Sequence, residues 1–485
     1  MKSLVGCLIV ATAYTACDKP RSPAPAPAPA PAAVPKSGIE VALITREPRI
    51  AAPAGLDGPV TAGWPDEGRA VQWIGAVINR TGAAQTVPIV WRIGSEVTRR
   101  TVTLPPGRSE LSHAWLWSFS RTKVSLTIEP AEAIDADRTD NEVTVDSDAL
   151  TIGMFVGRPL YEWMAQDGRP GFEVWFQGQL REWHKILARA RFPSAPNGAI
   201  DRFRLDRVDL LEEGQSVQNA DVGRTDIFMV LPYGDTRFLQ VGSLPSEIAD
   251  QTIVFHELLH GRGLTDLYAY AVRHAPGTDA TIDILDGGRP VVGTFLMPSL
   301  GTSSNGAQLV YPTPVNGVMG SQYRFSGELT EVCVNGLNLW AKRRTPWSVD
   351  QFGNAINHLT QQSDDAYVWR VPESTRLTFV DDTGAAVSPA TVEVYVDHHL
   401  QTYQEHYRSA PDVTLRPGSD GTIRLAGEVL LRSAARLGRH AKSEVVILGV
   451  RTAEARGYAF VPVHYFNLLY FQERDHLEVP VKMHR

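Results

Sequence analysis

Cysteine is scarce in this chain, with three in 485 residues, at positions 7, 17 and 333. Two of them fall inside or beside an N-terminal export signal. No intrachain disulfide is then left to the folded body, which must be held by packing, with or without a bound metal. No run of Lys or Arg stands out. Against 47 basic residues stand 54 acidic ones, for a net charge of −7. That balance lacks the electrostatic footprint of a nucleic-acid binder. The apolar stretch Leu4 to Ala16 is too short to cross a bilayer as a permanent helix. What is present is a 43% hydrophobic composition with a mean hydropathy of −0.16, enough for sizeable cores in several domains. Nothing in it reports an oligomeric state.

Residues 1–16 read as a signal peptide, with Lys2 as the basic part and an apolar stretch behind it. Tyr14-Thr15-Ala16-Cys17 resembles a bacterial lipobox, with Cys17 as the acylated residue. Leu4-Val5-Gly6-Cys7 has the same form, but too little apolar sequence precedes it. Residues 17–38 then form a Pro/Ala-rich tether, DKPRSPAPAPAPAPAAVPKS over 18–37, whose repeat favours extended polyproline II and cannot build a core. The expected location is the bacterial cell envelope, as a periplasmic or outer-surface lipoprotein, or else the secreted fraction. The partner at this end is a membrane, reached through the lipid.

The most informative segment is His256-Glu257-Leu258-Leu259-His260-Gly261-Arg262-Gly263-Leu264-Thr265-Asp266. Positions i and i+4 of a helix share a face, so His256 and His260 can aim both imidazoles at one metal ion. Glu257, next to that face, can take a proton from a metal-bound water. Gly263 can adopt a left-handed backbone and end the helix. The chain then turns back, and Asp266 can supply a third ligand. Two imidazoles, a carboxylate and a water make an open tetrahedral zinc site of the catalytic kind. Glu328, Asp283 and Asp286 are other carboxylates that could take the place of Asp266.

The pattern H-E-x-x-H-x-x-G-x-x-D resembles the signature of the metzincin zinc endopeptidases, in the minority form with Asp as third ligand, as in the snapalysin type. The longer run to Tyr268 is similar to that of immune-inhibitor-A-type secreted metalloproteases, with Thr265 where that group has Pro. The resemblance implies a Met-containing turn beneath the zinc. Val315-Asn316-Gly317-Val318-Met319-Gly320-Ser321 supplies the candidate, with Met319 as its methionine, ahead of a helix starting near Leu329. Tyr323 is a candidate oxyanion stabiliser by the same resemblance.

Around this segment the chain divides into three. Residues 39–150 show short strands at roughly ten-residue spacing, the pattern of a β-sandwich, and resemble the CARDB-type immunoglobulin-like module. Its acidic run Asp135, Asp137, Asp140 and Glu142 has the donors for calcium, although a solvated turn is the favoured reading. Residues 151–370 read as mixed α/β, the metzincin-like peptidase domain. A helix there carries Phe172, Trp175, Phe176, Leu180, Trp183 and Leu187, strands follow over 203–210 and 226–231, and 267–314 is a long irregular insertion. Residues 371–485 return to β as a second sandwich. His398, His399 and His406 read as surface histidines. Cys333 reads as a small buried apolar residue.

The fold class expected is therefore multidomain: an α/β metzincin-like catalytic domain flanked by two all-β sandwiches. The function expected is a membrane-tethered zinc endopeptidase acting on protein or peptide. The alternative is a cell-surface adhesion protein with an inactive protease-like domain.

Overall fold

The computed structural model describes residues 38–47, 65–166, 171–213, 215, 225–231, 254–256, 258–259, 262, 264, 317–319, 328–339, 341, 370–396, 411–431 and 445–484, together with short strands over 272–310, 347–357 and 406–407. Cys17 and the Pro/Ala-rich segment lie outside the described residues. The described chain is β-rich, with several sandwich-like sheets and few helices.

The N-terminal strands are β1 (Ile39–Glu47), β2 (Ala70–Asn79), β3 (Gln85–Ile93), β4 (Glu96–Leu104), β5 (Gly107–Leu116), β6 (Lys123–Ile128) and β7 (Glu142–Asp146). One sheet has the order β1-β2-β5 and the other β4-β3-β6-β7. Their inner faces meet in one core. Ile39, Val41, Ile44, Trp73 and Val77 come from the first sheet, and Ile89, Trp91, Leu126 and Val143 from the second. Alternating apolar residues on paired strands produce such an interior. Of the acidic run, Asp137 and Glu142 are exposed as a solvated turn would have them, but Asp135 and Asp140 are buried. Asp135 accepts the backbone N–H groups of Ile39 (3.1 Å) and Asp137 (3.2 Å), and the carbonyl of Asp140 accepts from Val41 N–H. These carboxylate and carbonyl oxygens staple β1 to the loop before β7.

The β1–β2 face turned away from this sandwich is also covered. The pairing slips between Val41 and Leu43, a bulge that turns a strand locally. Ala42 and Leu43, with Ala76 and Ile78, join a second core. That core belongs to β8 (Leu150–Gly157), α1 (Arg158–Met164), α2 (Phe172–Arg189), β9 (Phe203–Leu211) and β10 (Ile227–Leu231). The three strands form a parallel sheet in the order β10-β8-β9. The middle strand, β8, is buried along its whole length, as a strand covered on both faces must be. Phe172, Phe176, Leu180, Trp183 and Leu187 are the buried stripe of α2, a helical period that was plain in the sequence.

Charged groups line the seam between the two cores. Arg80 reaches Glu40 at 2.7 Å, and Arg108 and the Tyr161 hydroxyl both approach Glu173 Oε1, at 3.4 and 2.9 Å. Gln177 Nε2 donates to the carbonyl of Ala42 at 3.3 Å. Burial first, then the charge of Glu173, raises the Tyr161 pKa, so this hydroxyl stays a donor.

The stretch expected as an irregular insertion contains paired strands instead: β11 (Val272–His274), β12 (Thr281–Asp286), β13 (Arg289–Thr294), β14 (Ser299–Thr302) and β15 (Gln308–Val310). β12 and β13 pair antiparallel in the register Asp286↔Arg289. Next come α3 (Glu331–Leu339), β16 (Trp347–Val349) and β17 (Ala355–Asn357).

The C-terminal body is a second pair of sheets. β18 (Ser374–Val380), β19 (Ala386–Val387), β23 (Ile423–Ala426) and β26 (His476–Pro480) make one. β20 (Thr391–Tyr395), β22 (Val413–Leu415), β24 (Val445–Arg451), β25 (Arg456–Pro462) and β27 (Lys482–His484) make the other. β21 (His406–Tyr407) pairs with β12 instead, Asp283 opposite His406. A helix that the sequence did not suggest, α4 (Val463–Phe471), packs against α3. Gln472 Nε2 donates to Glu331 Oε2 at 3.0 Å.

Two buried histidines make the fold acid-sensitive. His184 Nε2 accepts the N–H of Phe203 at 3.0 Å. Burial, then the cations Arg202, Lys123 and Arg121, push its pKa down to about 3. Burial pushes His464 down to about 4. Both folded values lie below the ordinary 6.5. Each contribution to stability is therefore whole above that pH and is lost as pH falls from it toward the folded value. Urea midpoints measured between pH 7 and 4 should fall with pH, and His184→Gln should flatten the slope. An unchanged slope in the variant would remove His184 from this account.

Candidate functional site

Residues 254–256 and 258–259 are helical. Val254, Phe255, Leu258 and Leu259 are buried in the central core. Phe255 lies flat against Trp183 of α2, with centroids 5.2 Å apart and planes 11° apart, and Trp183 meets Phe176 edge-on at 5.5 Å. Such aromatic pairs contribute about 0.5–1.5 kcal/mol beyond their area. The residue immediately before His256 is thus fixed by a rigid ring stack.

The helix also ends in a defined way. Arg262 N–H and Leu264 N–H both donate to the carbonyl of Leu259, at 3.0 and 3.1 Å. The bond from Leu264 spans five residues, a reach found at helix ends. Gly263 lies outside the described residues. Leu259 and Leu264 are both fully buried, the hydrophobic contact that accompanies such an end.

His256 is 4% exposed. Its Nδ1 lies 2.7 Å from the carbonyl oxygen of Val318. A carbonyl can only accept, so the proton must be on Nδ1, and in the neutral ring Nε2 carries the lone pair. Orientation of an imidazole by a carbonyl on its other nitrogen is the usual support of a metal-ligating histidine. The described residue of the candidate site, His256, is thus a buried ring held at one nitrogen with the lone pair on the other, an arrangement compatible with a metal ligand.

The residue that accepts this bond directly precedes Met319, and both are fully buried. Gly317 has φ +113°, where L side chains are strained. A Cβ there would come within 2.9 Å of the Glu328 carbonyl oxygen. That same oxygen accepts Val318 N–H at 2.7 Å. Thr330 then caps α3, with its Oγ1 3.4 Å from the N–H of Cys333. Burial pushes the Cys333 thiol up to about 11, so it stays a protonated core residue.

Glu257, His260, Asp266 and Tyr323 lie outside the described residues. Among the rival carboxylates, Glu328 is exposed and contributes its backbone to the turn. Asp283 and Asp286 sit in β12, opposite Val292 and Arg289. Among the described residues, no group of three His, Cys, Asp or Glu could hold a metal ion. Three partners went unnoticed in the sequence: the Val318 carbonyl, the Trp183 ring, and Asp201, to which Arg262 is bonded. Each lies more than sixty residues from its target, beyond the reach of any local pattern.

Gly317→Ala should lower the unfolding free energy by about 1–3 kcal/mol, measured by denaturant titration. The tight approach to the Glu328 carbonyl places the strain at the Val318 peptide. A midpoint equal to that of the unaltered protein would contradict the turn geometry.

No family model matches the chain, and no curated protein matches it. Among solved structures, a calcium-binding mutant of Bacteroides uniformis beta-glucuronidase 2 aligns at 8% identity with a TM-score of 0.16. The alignment covers 91% of this chain and 61% of that one. A likeness at this level carries no argument about fold or function.

Proposed function

We propose that the chain is a zinc-dependent endopeptidase of metzincin-like design, with an α/β catalytic domain between two β-sandwiches. The observation that carries the reading is the 2.7 Å bond from His256 Nδ1 to the Val318 carbonyl. It joins the first histidine of the H-E-x-x-H segment to the turn that holds Met319. The two segments are 62 residues apart, and their meeting has no local explanation.

His256, His260 and Asp266 would hold the metal. When bound, zinc supplies a Lewis acid and lowers the pKa of a coordinated water to about 7. Glu257 takes a proton from the attacking water and passes it to the leaving amine. Tyr323 is the candidate donor to the oxyanion. The Val318 carbonyl keeps the His256 ring in the donor tautomer through the cycle. The substrate is a protein or peptide, and the enzyme is held at the bacterial envelope through a lipid on Cys17. Among the described residues, no helix is long and apolar enough to cross a membrane.

Metal content and cleavage of a peptide library, measured on the same preparations, test the proposal. The unaltered protein should carry about one zinc per chain, and Asp266→Ala should lose it. Glu257→Ala should keep the zinc while activity falls about 10²–10⁴-fold. A folded, zinc-supplied protein that binds none would shift the reading to a surface-binding protein with an inactive protease-like domain.

A further inference from the structure

The arginine inside the H-E-x-x-H-x-x-G-x-x-D segment has no role in the chemistry above, yet it is fully buried. Arg262 Nε and Nη2 both donate to Asp201 Oδ2, at 2.9 and 2.5 Å, and neither side chain reaches solvent. Two donors closing on one oxygen fix the direction of the guanidinium plane. Burying such a pair is a poor route to stability, because apolar replacements are often as stable. Its distinctive property is direction.

Asp201 is itself held from three sides. Ala199 N–H donates to the Leu187 carbonyl at the end of α2, at 3.1 Å. Gly198, with φ +71°, passes so close that a Cβ would lie 2.8 Å from that carbonyl oxygen. Asn338 of α3 takes the N–H of Ile200 on its Oδ1 (2.8 Å) and donates to the Gly198 carbonyl (3.0 Å). Leu150 N–H, at the start of β8, donates to the Arg202 carbonyl at 2.7 Å. The loop over 198–202 is thus referenced to α2, to β8, and to the helix that follows the Met319 turn. Through Arg262 it is also referenced to the point where the motif helix ends, two residues after His260 and four before Asp266.

We propose that Asp201 and Arg262 are a positioning pair that sets the chain's exit from the motif helix, and so the fit of the third zinc ligand to the two histidines. This rests on the zinc reading given above. In such a role the pair touches neither metal nor substrate. Its loss should weaken metal binding by about 10–100-fold, as changes behind a metal's ligands do.

The test uses the full mature chain, with zinc affinity read by competition against a chromophoric chelator and ligand geometry read from the visible spectrum of the cobalt-substituted protein. Near-UV circular dichroism reports packing. Asp201→Asn alone leaves a buried guanidinium without its counter-charge and can unfold the region. The informative variants are therefore two matched pairs: Asp201→Asn with Arg262→Gln, and Asp201→Leu with Arg262→Met. Expected is a folded double variant with zinc affinity reduced about 10–100-fold and an altered cobalt spectrum, with Arg262→Lys intermediate. Unaltered affinity and spectrum in either folded double variant would overturn the pairing proposal while leaving the zinc reading standing. A folded unaltered protein that binds neither metal would remove both.

Discussion

Val318 presents its peptide to two partners at once, the N–H to Glu328 and the carbonyl to the ring of His256. Each bond is buried, and a buried polar group left unmatched costs about 1–3 kcal/mol. Neither partner can move without the other responding. From Glu328 the chain runs through the Thr330 cap into α3, from α3 through Asn338 to the loop at Asp201, and from Asp201 to Arg262. Arg262 and Leu264 return to the Leu259 carbonyl, one turn from His256. The contacts close into a ring around the end of the motif helix. The aromatic stack of Trp183 on Phe255 braces the same helix from its other side.

The parts of this arrangement that could be read from the sequence are those written in local patterns. The apolar stripe of α2, the alternation of β9 and the apolar run of β10 each reflect a local pattern. The pairing of Arg262 with Asp201 spans 61 residues, and no periodicity relates such positions. Helix α4 was missed for another reason. Its sequence, VHYFNLLYF, is mostly apolar, because it is covered both by the second sandwich and by α3. A helix without a polar face shows no helical alternation and reads as a continuing strand. The strands over 272–310 were missed because their segments are short and broken by glycine and proline. Asp135 was misjudged because a run of carboxylates usually faces water. Here one of them turns inward to take the backbone of β1.

The sandwiches are more than ornaments on a central body. Ala42, Leu43, Ala76 and Ile78 belong to the same core as Phe255 and Met319, and so does Val463 from the start of α4. A sheet used on both faces shares its interior with the layer that follows residue 150. The charged seam of Glu40, Arg80, Arg108 and Glu173 lies at the margin of this shared interior. There it sets the orientation of one layer on the next and adds little net stability.

The double burial of β1 has a kinetic side. β1 is apolar toward two different cores, and one of them is built on α2. Gln177 meets the Ala42 carbonyl across 135 residues of sequence. Closing so long a loop is entropically slow, and contacts of that span delay folding. Both faces of β1 are buried only when α2 is in place, so the sandwich and the central layer depend on each other for complete burial of this strand.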